Sequence, residues 1–193
     1  MGSRGGDRNS ASQMGKRKDT PPVPHLKPVD PRDAALRAIA VHEAAHAVLF
    51  AYSGVDLIAL DLRACYLRSS VELDLSFLPA ALAGYAADVE INRLSEVEAL
   101  RRTESDRRII AIMLQEPDPE RRTRQLEESK SSAILLVRKF KTDILALAKR
   151  LQSDEAIPAE ELEKIPAIRK IRDLGVHDLA ELAKKEDDPK TSP

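Results

Sequence analysis

His42 and His46 stand four residues apart, with Glu43 directly after the first, in the run Ala40-Val41-His42-Glu43-Ala44-Ala45-His46-Ala47. On a helix, residues at this spacing lie on one face a single turn apart, so the two imidazoles can converge on one ion. A carboxylate beside them is close enough to take a proton from water. Zinc hydrolases divide the work in this way: the metal lowers the pKa of water and the acid accepts its proton. The spacing therefore predicts a metal-binding helix with His42 and His46 as ligands and Glu43 as general base. The plainer alternative makes all three ordinary polar residues of a helix. The apolar neighbours Leu36, Ile39, Ala40, Ala47 and Val48 weigh against it, because imidazoles without partners are costly to bury.

A catalytic zinc site takes three protein ligands and leaves the fourth position for water. No Gly-x-x-His follows His46, which excludes the metzincin pattern. His25 falls in a polar N-terminal stretch and His177 far downstream, which leaves Asp88, Glu90 and Asp106 as the better candidates. Asp106 has a competing role, since Thr103-x-x-Asp106 is also a helix-capping arrangement in which the carboxylate accepts from backbone N–H groups.

The elements that must position these residues are mostly helices. Asp30-Pro31-Arg32-Asp33 is a helix-start signal, with Asp30 as cap and Pro31 at the first helical position, and the helix is expected to reach Tyr52. Ser53-Gly54 supplies a stop. The alternating text Val55 to Leu62 reads as a strand, with a second short strand near Cys65 to Leu73. A helix rich in small residues is expected over Pro79–Leu94, where Ala83, Gly84, Ala86 and Ala87 permit close approach of another helix. A further helix opens at Thr103-Glu104-Ser105-Asp106 and ends at Pro117. One long amphipathic helix is expected over Pro119–Gln152, with Ile134, Leu135, Val137, Phe140, Ile144, Leu145, Leu147, Ala148 and Leu151 on its apolar stripe. Pro158 and Pro166 restart two short helices, and Gly175 is expected to end the second.

The 193 residues suffice for one domain with a real core. Gly is scarce, Trp is absent and aromatics make up only 3%, which excludes an all-β architecture. The expected fold is mainly α with a small β element after the metal-binding helix. Residues 1–29 read as a disordered arm, 30–185 as the domain and 186–193 as a disordered tail. The net charge of −1 is spread along the chain and gives no basic stripe of the nucleic-acid type; Lys16-Arg17-Lys18 reads as part of a solvated arm. Cys65 is the single cysteine and cannot form an internal disulfide, which suits a cytoplasmic setting. The richest apolar stretch, Ala34–Leu62, is interrupted by Arg37, His42, Glu43, His46 and Asp56, so no membrane span is expected. No apolar leader is evident near the N-terminus.

From about Pro31 to Ile165 the chain resembles the protease domain of the FtsH-type zinc metalloproteases. Ala40 to Ala47 is similar to that family's His-Glu-Ala-Gly-His-Ala, Ala83-Gly84-Tyr85-Ala86-Ala87-Asp88 to its Gly-Gly-Arg-x-Ala-Glu, and Ser105-Asp106 to its Asn-Asp. Leu147-Ala148-Lys149-Arg150-Leu151, followed by Ile157-Pro158-Ala159-Glu160-Glu161-Leu162, is similar to its C-terminal region. The resemblance implies zinc held by His42, His46 and Asp106, Glu43 as general base, and Asp88 or Glu90 as alternative ligands or as partners of an imidazole N–H. It also implies that the Val55–Leu62 strand offers an edge to an extended substrate, although covering the core would explain the strand equally well.

The departures are definite. Ala45 stands in place of a glycine, Tyr85 of an arginine, Val89 of a second glutamate and Ser105 of an asparagine, and the stretch from His46 to Asp106 is shorter than the family's. No Gly-x-x-x-x-Gly-Lys-Ser/Thr phosphate loop occurs in the sequence. The expectation is a metalloendopeptidase without its own ATPase, acting on unfolded or small polypeptides or with a separate unfoldase. The alternative from another class is a non-catalytic zinc-containing helical module that binds a partner protein or an oligomeric protease. The apolar stripe of the long helix serves either core packing or a homo-oligomer interface.

Overall fold

The computed structural model describes residues 31–68 and 73–186, and the fold is mainly helical with a small three-stranded antiparallel sheet. The cap Asp30, the arm over 1–29 and the tail beyond Glu186 lie outside the described residues. α1 (Pro31–Tyr52) is the central element. From Ala40 to Ala51 it is buried on nearly every side, with Ala40, Ala44, Ala45, Ala47, Val48, Leu49 and Ala51 at 0% exposure. Small side chains allow this, because they let neighbouring helices approach from several directions. Those neighbours are α3 (Ala83–Glu90), α7 (Lys141–Asp154) and α9 (Pro166–Glu186). Gly54, at φ +78°, ends α1 as the sequence predicts.

By length and composition alone, Arg32–Tyr52 is apolar enough to cross a membrane, with a mean hydropathy of 1.3, although Arg37, His42, Glu43 and His46 interrupt it. The central helix of a packed domain shares this property, and 61% of the apolar window is buried inside the fold.

β1 (Leu57–Asp61) follows, and the Asp61 carboxylate accepts from the backbone N–H groups of Arg63 and Ala64 to form the turn into β2 (Cys65–Leu67). The strand order is β2-β1-β3, with β3 (Ala156–Pro158) on the far side. This corrects the expected edge at Val55–Leu62. β1 is the middle strand and both of its sides are paired. β3 escaped sequence reading because only three residues form it.

The expected helix over Pro79–Leu94 is two pieces, α2 (Leu78–Ala81) and α3, joined at Leu82. α4 (Glu96–Arg102) was not anticipated, although its signal is explicit: Ser95 and Glu98 form a reciprocal capping box. α5 (Arg107–Met113) follows. The expected long helix is likewise two, α6 (Pro119–Lys139) and α7, turning at Phe140. Phe140 is 3% exposed with its ring 5.2 Å from that of Tyr52. The turn lets Ala133 and Val137 of α6 and Ile144, Leu147 and Leu151 of α7 all reach the core. Most of the stripe is core, while Leu135 is 63% exposed. The short helix α8 (Ala159–Leu162) leads into α9.

Gly175 does not end the last helix; α9 runs through it to Glu186. Here α9 crosses the C-terminal end of α1 so closely that a Cβ on Gly175 would lie 1.6 Å from the Tyr52 carbonyl oxygen. Only glycine permits that approach. Gly175→Ala is therefore expected to separate α1 from α9 and to destabilise the fold by roughly 1–3 kcal/mol. Thermal unfolding followed by circular dichroism checks this; an unchanged midpoint would contradict the crossing.

Candidate metal centre

His42 and His46 project from the buried middle of α1, at 6% and 5% exposure, with ring centroids 5.0 Å apart. Each ring has one nitrogen tied to the surrounding fold. His42 Nδ1 donates to Asp88 Oδ2 at 3.0 Å, and His46 Nδ1 donates to the Ala80 carbonyl oxygen at 3.0 Å. A carbonyl can only accept, so His46 carries a proton on Nδ1, which leaves Nε2 as the atom turned to the cluster. A fixed tautomer of this kind turns a histidine into a ready metal ligand.

Both Nε2 atoms face Asp106, whose Oδ2 lies 3.3 Å from His42 Nε2 and 3.4 Å from His46 Nε2. Donors bonded at about 2.1 Å to a tetrahedral ion sit about 3.4 Å apart, so these spacings are those of a ligand set. His46 Nε2 is buried with no hydrogen-bond partner among the described residues, being poorly aligned with Asp106. A buried imidazole nitrogen left in this state is what an ion would satisfy. The group His42, His46 and Asp106 could hold a metal ion.

The capping role weighed for Asp106 is not realised. Asp106 precedes α5 at the cap position but makes no side-chain bond to the helix N–H groups, and Thr103 instead donates its hydroxyl to the carbonyls of Ala99 and Leu100.

Asp88 and Glu90 part company. Asp88, at 0% exposure, lies behind His42 and also accepts from Asn92 Nδ2 at 2.7 Å, with Arg102 Nη1 at 3.5 Å. A buried carboxylate needs several such partners. Glu90 is not brought to the cluster; its carboxylate is gripped in two places by Arg138 at 2.9 and 2.7 Å. Both residues are on α3, but two positions turn a side chain well away from the face it would need to share.

Gly84 has the most exacting position. α3 passes so close to α1 that a Cβ on Gly84 would be 2.2 Å from His42 Nε2. The sequence showed a close approach at Ala83–Ala87; that His42 itself is the neighbour had no signal in it, nor had the Ala80 carbonyl, Asn92 or Arg102.

Charge follows from this geometry. Burial alone would lower the His42 pKa, but hydrogen bonds to Asp106 and Asp88 outweigh it and push the imidazole up to about 9. Burial alone would raise Asp106, but the two imidazoles hold its carboxyl below the usual range. Glu43 is half-buried and burial lifts its carboxyl, against the opposing pull of His46 and His42. It fronts a cavity of about 130 Å³ together with His46, Asp106, Phe50, Leu67 and Ile109. Cys65 also lines this cavity, and burial pushes its thiol up, so it stays protonated.

No protein-family model matches the chain, and no curated protein matches it.

Two expectations follow from the geometry. Gly84→Ala displaces His42, and Asp88→Ala releases its Nδ1; each is expected to weaken metal binding about 10–100-fold in a competition titration with a chromophoric chelator. Unchanged affinity in both would mean that the fold does not hold His42 through α3. Metal uptake must also remove the proton that His42 keeps below about 9. Affinity is therefore expected to rise with pH between 6 and 9, with release of close to one proton per metal at pH 7, read by calorimetry in buffers of different ionisation enthalpy.

Proposed function

We propose that this chain is a zinc-dependent metalloendopeptidase, of the kind its resemblance to the FtsH-type protease domain implies. The observation that carries the reading is the convergence of His42 Nε2 and His46 Nε2 on one Asp106 oxygen, at 3.3 and 3.4 Å, with each Nδ1 already tied to the fold. Two imidazoles and one carboxylate with an open side form a catalytic rather than a structural donor set. Zinc bound there would lower the pKa of water and polarise a scissile carbonyl.

The remaining work falls to the chain. Glu43 stands beside the donors without being one of them, and burial raises its carboxyl above the ordinary range, against the pull of His46 and His42, which is the direction that suits a general base. It takes the proton of the attacking water and can return it to the leaving amine. The cavity that Glu43 fronts is largely apolar, which supports a peptide side chain as its occupant. β2 borders this cavity through Cys65 and Leu67, and its outer side has no partner strand among the described residues. An extended polypeptide adding to that side would run past Glu43. The substrate edge is thus assigned to β2 in place of β1.

The test is zinc content and casein cleavage in parallel. Asp106→Ala is expected to lose zinc. Glu43→Gln is expected to keep it and to lose about 10²–10⁴-fold in cleavage rate. Stoichiometric zinc with no cleavage by the unaltered chain would favour the non-catalytic zinc module, and absence of zinc would overturn both.

A further inference from the structure

A second cavity, of about 290 Å³, opens on the other side of Glu43 and is lined by Ile39, His42, Glu43, Arg102 and Ser105. Its wall differs from that of the first. Arg102, the last residue of α4, brings a guanidinium into a space that also touches His42 and Glu43. That guanidinium is anchored: Nη1 is 3.5 Å from Asp88 Oδ1, a carboxylate at 0% exposure, and the side chain remains 37% exposed. Arginine carries five N–H donors in a planar fork, so one end can stay on Asp88 while the other receives a second carboxylate. Glu43 is the acidic group facing the cavity, and the His42 imidazole, tied to Asp88 and Asp106, borders it as well.

We propose that Arg102 is a specificity-determining residue that binds a carboxylate of the substrate, flanking the scissile bond on the side away from β2. This rests on the peptidase reading above. The carboxylate comes either from an Asp or Glu side chain or from the C-terminus of the substrate, and the chemistry is the same for both. Arg102 does not touch the reacting atoms. It fixes the substrate in register and, through Asp88, stays aligned with His42.

Arg63, at the rim of the first cavity, is the rival cation. It is exposed and lies in the turn between β1 and β2. No ion pair fixes it among the described residues, so its position is less defined.

The test uses the zinc-loaded full chain and peptides that differ only by Glu or Gln at each position flanking the cleaved bond. A second set differs only by a free or an amidated C-terminus. The expected result is a kcat/KM preference of about ten- to a hundredfold for the acid in one of the sets, the worth of a charged hydrogen bond. Which set responds identifies the source of the carboxylate. The preference is expected to vanish in Arg102→Gln compared at saturating zinc, to persist in part in Arg102→Lys, and to survive in Arg101→Gln on the exposed neighbouring position. Equal rates for acid and amide in both sets would overturn the proposal. So would an Arg102→Gln that loses zinc and slows all peptides alike, since Arg102 would then serve only as the charge partner of Asp88. A preference lost in Arg63→Gln and kept in Arg102→Gln would assign it to the other cavity and overturn it too. Should zinc-loaded chain cleave none of the peptides, the peptidase reading fails by itself. Fluorescence anisotropy on the same peptides then decides: acid-selective binding that needs Arg102 supports the carboxylate site, and unselective binding overturns it.

Discussion

Two imidazoles buried one turn apart in an alanine-rich helix impose the constraint on which the rest of this structure depends. Each ring brings two nitrogens into a largely buried position, at 6% and 5% exposure, and unpaired polar groups there are costly. The fold answers with one acceptor for each Nδ1: the Ala80 carbonyl at the end of α2 and the Asp88 carboxylate of α3. Each acceptor makes a further demand. Asp88 at 0% exposure is itself a charge that must be compensated, so Asn92 and Arg102 are drawn to it, and with Arg102 comes α4. Gly84 is part of the same chain of necessity, because α3 can deliver Asp88 to His42 only by passing within a side chain's width of the ring. The arrangement of α1, α2, α3 and α4 can thus be traced to the polar atoms of two side chains.

Their Nε2 atoms are what remains, and Asp106 is set against both. Without an ion, the pair of imidazoles and the carboxylate share charge among themselves: His42 is held protonated, Asp106 is held ionised, and His46 Nε2 is left without a hydrogen bond. An ion between them would replace a strained compromise by three direct bonds, at the expense of one proton. Metal binding and local order are coupled in this way wherever ligands come from separate elements, here α1 and the start of α5. Glu43 stands apart from this exchange. Its place next to His42 turns it off the ligand face of α1, into the divide between two cavities of different character, one largely apolar and one walled by Arg102.

The donor set was legible in the sequence because it rests on a local rule, two histidines four apart on one helix, and α1 was legible because Pro31 and Gly54 punctuate it. Asp106 needed more than a rule. Its text reads equally well as a helix cap, and only the resemblance separated the two. The helix break at Phe140 was invisible, since the apolar stripe runs through it unbroken and the turn is decided by where that ring packs. Gly175 misled for a related reason: glycine marks a helix end or a close crossing, and the Tyr52 carbonyl that makes it a crossing is more than a hundred residues away. β1 was found but its neighbours were not, because β2 and β3 are short and their pairing is a long-range property. The capping box at Ser95 was local and readable, and was passed over for want of an apolar run to follow it.

X-ray absorption at the zinc edge of the zinc-loaded chain tests the central claim most directly, because it reads the atoms around the ion whether or not any substrate is cut. The account predicts four light-atom donors at about 2.0–2.1 Å, with the outer-shell pattern of two imidazoles. Sulfur at about 2.3 Å, which only Cys65 in the neighbouring cavity could supply at this site, or a shell without imidazole, would contradict it.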